Sequence, residues 1–372
     1  MPAALRCALG ALLLAAAPAR AALPDAPLGV ATPGPFRALF LDMPLADARA
    51  PAAIALDVRW WLANDWSKPT VLVRGGRTVS IQDDLQVDTL QVSLTVPWRR
   101  LVDAAFARRL STTLEARAFV EWGGWTDRPI ESWHGLVGSW NFERQLYPRD
   151  QVNLHLSEEG GHTIGDVHSD RLALADLVLR TQLELASTGA DPAQPALPPR
   201  GALALRLDVK LPTGARGRFA GSGTADAGLG LAASGRTGRL TVHALASVRV
   251  VGGLPGSFAL QPRRVQGGFD LSLVLRVGGG VALVLEDRLS SPLMEAGWKL
   301  APDETEPEAT VWYSLFRVHN QVSGGIRVGE LTAFFSEDFT PGQRLPDDPG
   351  PRWFYDSNAP DVVFGLAWAR GF

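Results

Sequence analysis

The chain has 372 residues, 46% of them hydrophobic and 20% charged, with 36 basic against 39 acidic side chains and a formal net charge of −3. That balance leaves no basic footprint for nucleic acid. The single cysteine, Cys7, excludes disulfides and thiolate metal sites from any chain that loses its N-terminus.

Arg6 precedes an apolar run from Cys7 to Pro18, and Ala19-Arg20-Ala21 follows as an A-x-A cleavage pattern. These features predict a secretory signal peptide over residues 1–21, too short to span a bilayer. Cys7 lies too far forward for lipoprotein cleavage. Without Arg6 and Arg20 the balance is 34 basic to 39 acidic, or −5. Nothing later in the chain is long and apolar enough for a transmembrane helix, so the exported chain is periplasmic, secreted or a barrel. The proline-rich residues 22–52 read as a non-strand segment that enters a lumen or rests beneath it.

From there on, period-two alternation recurs, and alternation puts one residue set on each face of a strand. Ile54, Leu56, Val58, Trp60 and Leu62 alternate with Ala55, Asp57, Arg59, Trp61 and Ala63. Leu90 to Val96, Leu114 to Val120 and Leu177 to Leu185 repeat the pattern. Leu203, Leu205, Leu207, Val209 and Leu211 are set against Ala204, Arg206, Asp208 and Lys210. Leu240 to Val250 follows, and Phe269–Val277 with Val281–Leu285 predicts a hairpin about Gly278-Gly279-Gly280. Ala309–Val318 and Ile326–Phe335 are ambiguous strands. Long segments at Trp122–Asp150, Gly252–Gln266, Leu289–Glu308 and Asp338–Asn358 read as loops.

At the end, Val362, Phe364, Leu366, Trp368 and Phe372 alternate with mostly small residues. This resembles the closing strand of outer-membrane barrels, and implies that Phe364, Leu366, Trp368 and Phe372 form a membrane-insertion signal read by the barrel-assembly machinery. Soluble sandwich strands average about five or six residues, whereas membrane strands need about nine to eleven, which several of these runs reach. Charges of both signs on the polar faces suit a lumen. The predicted fold is therefore all-β: a closed antiparallel transmembrane β-barrel over residues 53–372. It has twelve strands, fourteen being the alternative, with long outer loops and short periplasmic turns. Its predicted surroundings are the lipids of the outer membrane of a Gram-negative bacterium.

Several stretches together resemble domain-of-unknown-function family 3187, exported proteins of proteobacteria. They are Gly34-Pro35-Phe36 running into Leu39-Phe40-Leu41, Ile130-Glu131-Ser132-Trp133-His134-Gly135, and Tyr147-Pro148-Arg149-Asp150. Further on come Lys210-Leu211-Pro212-Thr213-Gly214, Gly221-Ser222-Gly223 with Asp226, Phe335-Ser336-Glu337-Asp338, and Pro360-Asp361-Val362. The family's Gly-Leu-Gly-Asp turn stands here as Ala173-Leu174-Ala175-Asp176, which argues against a tight left-handed turn. The Lys-Leu-Pro-Thr-Gly element is also similar to one in barrels of aromatic-degradation operons and hydrophobic-compound uptake. The resemblance implies fold and location and no activity.

Candidate chemistry is sparse. Of the histidines, His155 and His243 are expected to face inward, His134, His162 and His168 fall in loops, and His319 sits at a strand end. None stands on an outward face beside a serine, as a membrane lipid hydrolase would need. His162, Asp166, His168 and Asp170 crowd nine residues, but flanking glycines favour a solvated loop over a metal site. The acidic run Asp303 to Glu308 reads the same way. No catalytic, metal or cofactor site is expected.

Trp122, Trp125, Ile130, Trp133, His134 and Trp140 form an aromatic segment, with a short helix predicted over residues 130–137. It either constricts the pore or anchors at the membrane interface, where tryptophan is enriched. Arg117, Arg180, Glu184, Arg206, Asp208, Lys210, His243, Arg249, Arg276 and Glu286 are the expected lumen residues. Pro212, Thr213 and Gly214 mark a candidate lateral opening. The functions compatible with this sequence are a narrow channel for small molecules, hydrophobic ones among them; a non-conducting structural or partner-binding barrel; and, last, a lipid hydrolase.

Overall fold

The alternating segments become seventeen antiparallel strands in the computed structural model, which describes residues 25–31, 34–67, 69–137, 146–160, 162–189, 200–254, 258–302, 315–338 and 362–372. In chain order they begin with β1 (Ala55–Trp66), β2 (Thr70–Arg74), β3 (Arg77–Pro97), β4 (Leu110–Trp122), β5 (Asn153–Glu158) and β6 (His162–Val167). Next are β7 (Arg171–Leu174), β8 (Leu177–Thr188), β9 (Gly201–Leu211), β10 (Asp226–Thr237), β11 (Leu240–Val250) and β12 (Val265–Gly278). The last are β13 (Val281–Ser290), β14 (Lys299–Leu300), β15 (His319–Val328), β16 (Leu331–Asp338) and β17 (Val362–Gly371). Two short helices lie wholly within the described residues, α1 (Pro35–Ala38) and α2 (Asp127–Val137).

Twelve strands make the barrel: β1, β3, β4, β8 to β13 and β15 to β17. It closes where β1 meets β17, from Ala55↔Gly371 to Asn64↔Val362. The wall strands present leucine, valine or phenylalanine outward and mostly polar or small residues inward, with Trp61, Val274, Val284, Phe334 and Val363 turned in against Leu28 and Val30. Leu229 and Leu285 are 50% and 52% exposed on the outside, whereas Asp208 and His243 are 0% exposed inside. This inverts the order of a soluble protein and matches a wall whose outer solvent is hydrocarbon. Aromatic side chains stand at both ends of the apolar band. Trp98, Trp368 and Phe372 lie at the rim where β17 ends, and Phe335 and Phe364 pack with centroids 5.3 Å apart toward the other.

The rim that receives β17 also carries the tight turns. Gly238, Gly278 to Gly280 and Gly329 all adopt positive φ there, between +56° and +134°, as two- and three-residue hairpins demand. Two connections at this rim are longer than expected, the β3–β4 segment 98–109 with its two 3-10 turns and the β8–β9 segment 189–200. The opposite rim carries the long loops, and β3 rises beyond it. The first half of β3 pairs with β2 and β5, and β5 pairs with β6, forming a small sheet above the barrel. Leu72, Val79, Ile81, Leu154, Leu156, Phe219, Leu260 and Trp298 form an apolar cap there.

Three expectations need correction. Ile326–Phe335 is not one strand: Gly329 turns the chain between β15 and β16. Residues 309–314 lie outside the described residues, 315–316 are helical, and the strand begins only at His319, so Ala309–Val318 is not a wall strand over the described part. His155 belongs to β5 in the cap sheet and does not face the lumen. The signal peptide (1–21), Trp140 and Asp303–Glu308 lie outside the described residues, as do the side chains of His134 and His162.

Inside the barrel run residues 25–31 and 34–50. The chain climbs from Asp25, turns through α1 under the cap, and returns by Met43 and Leu45 to Arg49. Leu28, Val30, Phe36, Leu39, Leu41, Met43, Leu45 and Ala48 are all buried. The two legs touch at Gly29, whose φ is +56° and where a Cβ would lie 2.6 Å from the Leu45 carbonyl oxygen. The wall leaves room for the plug at Gly228 of β10, where a Cβ would lie 2.3 Å from Met43 Sδ. Gly228→Val is therefore expected to displace the descending leg at a cost of about 1–3 kcal/mol. Hydrogen exchange of residues 41–48 checks this, and unchanged protection contradicts the packing.

Candidate functional site: the plugged lumen

An irregular chain inside a closed barrel must find partners for its backbone N–H and C=O groups. Here the charged inner wall supplies them. Arg327 Nη1 donates to Ala26 O at 2.8 Å, Arg59 Nη1 to Gly29 O at 2.7 Å, and Arg288 Nη1 to Val30 O at 3.1 Å. On the returning leg Arg249 donates to Leu41 O at 3.0 Å and Arg180 to Asp42 O at 3.2 Å, while Arg206 binds Pro44 O. Acidic wall residues take the plug's N–H groups. Glu286 accepts from Gly29 and Val30 at 3.0 and 3.2 Å, and Glu184 accepts from Ala50 at 2.8 Å.

The same groups pair along the wall. Arg180 bridges Glu115 and Asp208, Arg206 binds Asp208, and Arg117 binds Glu115. Arg288 holds the Asp42 carboxylate of the plug and lies 3.3 Å from Asp270. At the base, Arg49 ties the two legs through Asp25 at 3.1 Å. His243 meets Asp25 O at 2.7 Å and Ser234 Oγ at 2.8 Å, and Ser234 in turn accepts from Ala48 N.

The apex is held by the Lys-Leu-Pro-Thr-Gly element. Lys210 Nζ donates to Leu39 O and Asp176 Oδ2, both at 2.7 Å, and to Ser222 Oγ at 2.8 Å, with Asp226 Oδ2 at 3.3 Å. Asp226 accepts from Leu41 N at 2.7 Å and from Gly252 N at 2.7 Å. Asp176 accepts from Gly214 N at 2.7 Å, and Thr213 Oγ1 accepts from Leu177 N at 2.9 Å. Pro212, Thr213 and Gly214 thus form a structural turn that fixes the Lys210 ammonium group over the plug. A Cβ at Gly214 would lie 2.3 Å from Ala220 O, so the turn is closely packed. The wall bends beside it, since β4 pairs β8 up to Glu115↔Val178 and β7 from Ala118↔Leu174. Ala173 to Asp176 make this bend without a positive φ, in keeping with the two alanines.

What space remains lies at the base. A cavity of about 250 Å³ opens between the plug legs and the wall of β1, β3, β4, β8 and β9. Gln91, Ser93, Thr95, Ser111, Thr113 and Gln182 give it hydroxyl and amide walls, with Arg59, Arg180 and Asp57 beside them. A smaller space of about 60 Å³ borders Arg327, Thr332 and Ala369.

Of the residues singled out as lumenal, Arg117, Arg180, Glu184, Arg206, Asp208, Lys210, His243, Arg249 and Glu286 face inward; all but Arg117 and Asp208 bond the plug directly, and Asp208 holds Arg180 and Arg206, which do. Arg276 instead stands at the short-turn rim, donating to Gly238 O at 2.8 Å. The aromatic segment takes the anchoring alternative. Of the segment's described residues Ile130 is buried; Trp133 packs on the outward ring of Phe335 at 5.8 Å, and Trp125 is 58% exposed. Trp122 donates to Asp88 at 2.9 Å. Trp133→Ala is accordingly expected to lower barrel stability by about 0.5–1.5 kcal/mol and to leave exchange of residues 25–50 unchanged. Loss of plug protection would put the helix back in the pore.

His155, Asp166 and His168 do meet in the cap sheet, at 2.9 and 2.8 Å from the carboxylate, and the His155 bond holds the Asp166 carboxyl below its ordinary range. No group with metal-binding geometry forms among the described residues. His319 lies 3.0 Å from Asp338 and opposite Ser290, but these residues are buried on the lumen side and Ser290 Oγ bonds nothing. A lipid-facing Ser–His pair is not formed there.

No protein-family model and no curated protein sequence matches the chain. Among solved structures it is similar to an outer-membrane channel of Pseudomonas putida F1, at 14% identity over 88% of this chain and 98% of that one, with a TM-score of 0.47. It is also similar to a FadL homologue of Pseudomonas aeruginosa, at 8% identity over 86% and 90%, with a TM-score of 0.33. Both likenesses are distant, and they add nothing to the chemistry of the lumen.

Proposed function

We propose that this chain is an outer-membrane barrel forming a gated path for small solutes, with residues 25–50 as its movable plug. The observation that carries this reading is the set of charged wall groups that bind the plug backbone, beside apolar contacts of Leu28, Val30, Leu41, Met43 and Leu45 with the wall. Six arginines and Lys210 hold plug carbonyls through side-chain bonds, and water can replace such bonds one for one when the plug moves. The hydroxyl and amide lining of the basal cavity favours a small polar solute over a hydrophobic one at that end. Outward Phe364, Leu366 and Trp368 on β17 supply the surface that assembly machinery would read during insertion.

A second reading, a non-conducting envelope barrel, draws on the apolar cap that joins Phe36, Leu39 and Phe40 to the outer loops. Flux of small sugars and amino acids into proteoliposomes separates the two. The gated path predicts measurable flux, faster when wall arginines are removed. No flux from the intact protein, from wall variants or from a folded barrel lacking residues 25–50 would leave the structural reading standing.

A further inference from the structure

We propose that the β3–β4 connection and the arginines beside it form a binding site for anionic phospholipid headgroups, in the leaflet that meets the short-turn rim. The connection reads Trp98-Arg99-Arg100-Leu101-Val102-Asp103-Ala104-Ala105-Phe106-Ala107-Arg108-Arg109, four arginines against one acid. Apart from the buried Ala107, its larger apolar side chains are not packed away: Leu101 is 69% exposed and Phe106 57%. Its root is fixed on the lipid side, because Trp98 Nε1 donates to Thr112 Oγ1 at 2.9 Å and Thr112 shares the outward face with Leu114. The exposed apolar residues therefore continue the lipid-facing wall past its end, and the arginines flank them.

These arginines differ from those of the lumen, which are spent on buried carboxylates and plug carbonyls. The Arg108–Asp103 pair spans 3.8 Å with side chains 73% and 99% exposed, so solvent screens it. Arg99 gives one bond to Pro51 O at 2.9 Å and Arg109 one to Leu185 O at 3.4 Å. Most of their donors remain available. Arg200 and Arg239 add exposed charge on the neighbouring turns. A planar guanidinium fork matches a phosphodiester, and apolar anchors combined with clustered arginine select an anionic over a zwitterionic surface. The occupant that this chemistry fits is a phosphatidylglycerol-type lipid, its tails against Leu94 and Leu114 and its phosphate among Arg99, Arg100, Arg108 and Arg109.

The test uses the mature protein in mixed micelles of phosphatidylglycerol and phosphatidylcholine, with retained lipid counted by native mass spectrometry. The intact protein should retain phosphatidylglycerol at least about tenfold better. The preference should vanish in R99Q/R100Q/R108Q/R109Q and weaken in L101S/F106S, with heat-modifiable migration reporting that each barrel has folded. High salt should abolish it in the unaltered protein, which needs no variant to fold. Equal retention of the two lipids, or an unchanged preference in the folded quadruple variant, overturns the assignment.

Discussion

Lys210→Met is expected to destabilise the protein by about 3–5 kcal/mol, the range for breaking a buried ion pair by removing one partner. The ammonium group is 2% exposed and is shared by Leu39 O, Asp176, Ser222 and Asp226. Methionine fills the volume but leaves two carboxylates buried close together with the Leu39 carbonyl unbonded. The apex of the plug should therefore loosen first. Hydrogen exchange at residues 39–41 and the urea midpoint of the folded band report the two parts of the effect. A loss below about 1 kcal/mol would show that the Lys-Leu-Pro-Thr-Gly element does not hold the plug.

The second large effect falls on the plug while sparing the wall. Arg288 reaches both legs, through Val30 O on the ascending side and the Asp42 carboxylate on the returning side. Its side chain takes no part in the backbone ladder of β12, β13 and β15. Arg288→Ala should thus leave a folded, heat-modifiable barrel. Charge-assisted bonds contribute about 1.5–3 kcal/mol each. Losing two should speed exchange of residues 29–31 and 41–43 by at least about a hundredfold, through local opening. Flux should rise in parallel. Faster exchange without added flux would separate plug mobility from transport and favour the non-conducting reading.

The barrel was legible because its determinants are local and periodic. The leucines of β9 alternate strictly against Ala204, Arg206, Asp208 and Lys210, and period two alone tells one face from the other. Which face meets lipid followed from the charges on the polar side. The plug's place was legible only as an option, since nothing in a proline-rich run states what surrounds it. Its partners lie up to 301 residues away, as for Ala26 and Arg327, and pairing at such separation is set by the closed wall.

Where a turn was misplaced, the residues beyond it were lost as well. Reading Ile326 to Phe335 as one strand hid Arg327, and ending β13 at Leu285 hid Arg288. Both are inward by parity once the turn stands at Gly329 and β13 runs to Ser290. The cap sheet was missed because Asp83 and Asp84 interrupt the alternation of β3 midway, where the strand leaves the barrel wall. His155 was misplaced for the same reason, since its strand alternates apolar and polar residues around a cap core instead of a lumen.

The central claim is that residues 25–50 close the path and must move to open it. Ala48 N and Ser234 Oγ lie 2.9 Å apart at the plug base, and Cys7 is the only native cysteine, so a cysteine pair at 48 and 234 can lock that contact reversibly. Single-channel conductance of A48C/S234C, alone and combined with Arg288→Ala, is the direct measurement. The account predicts silence when the pair is oxidised and discrete openings after reduction, more frequent with Arg288→Ala. Equal currents in the two redox states, or none in either from a folded barrel, would contradict it.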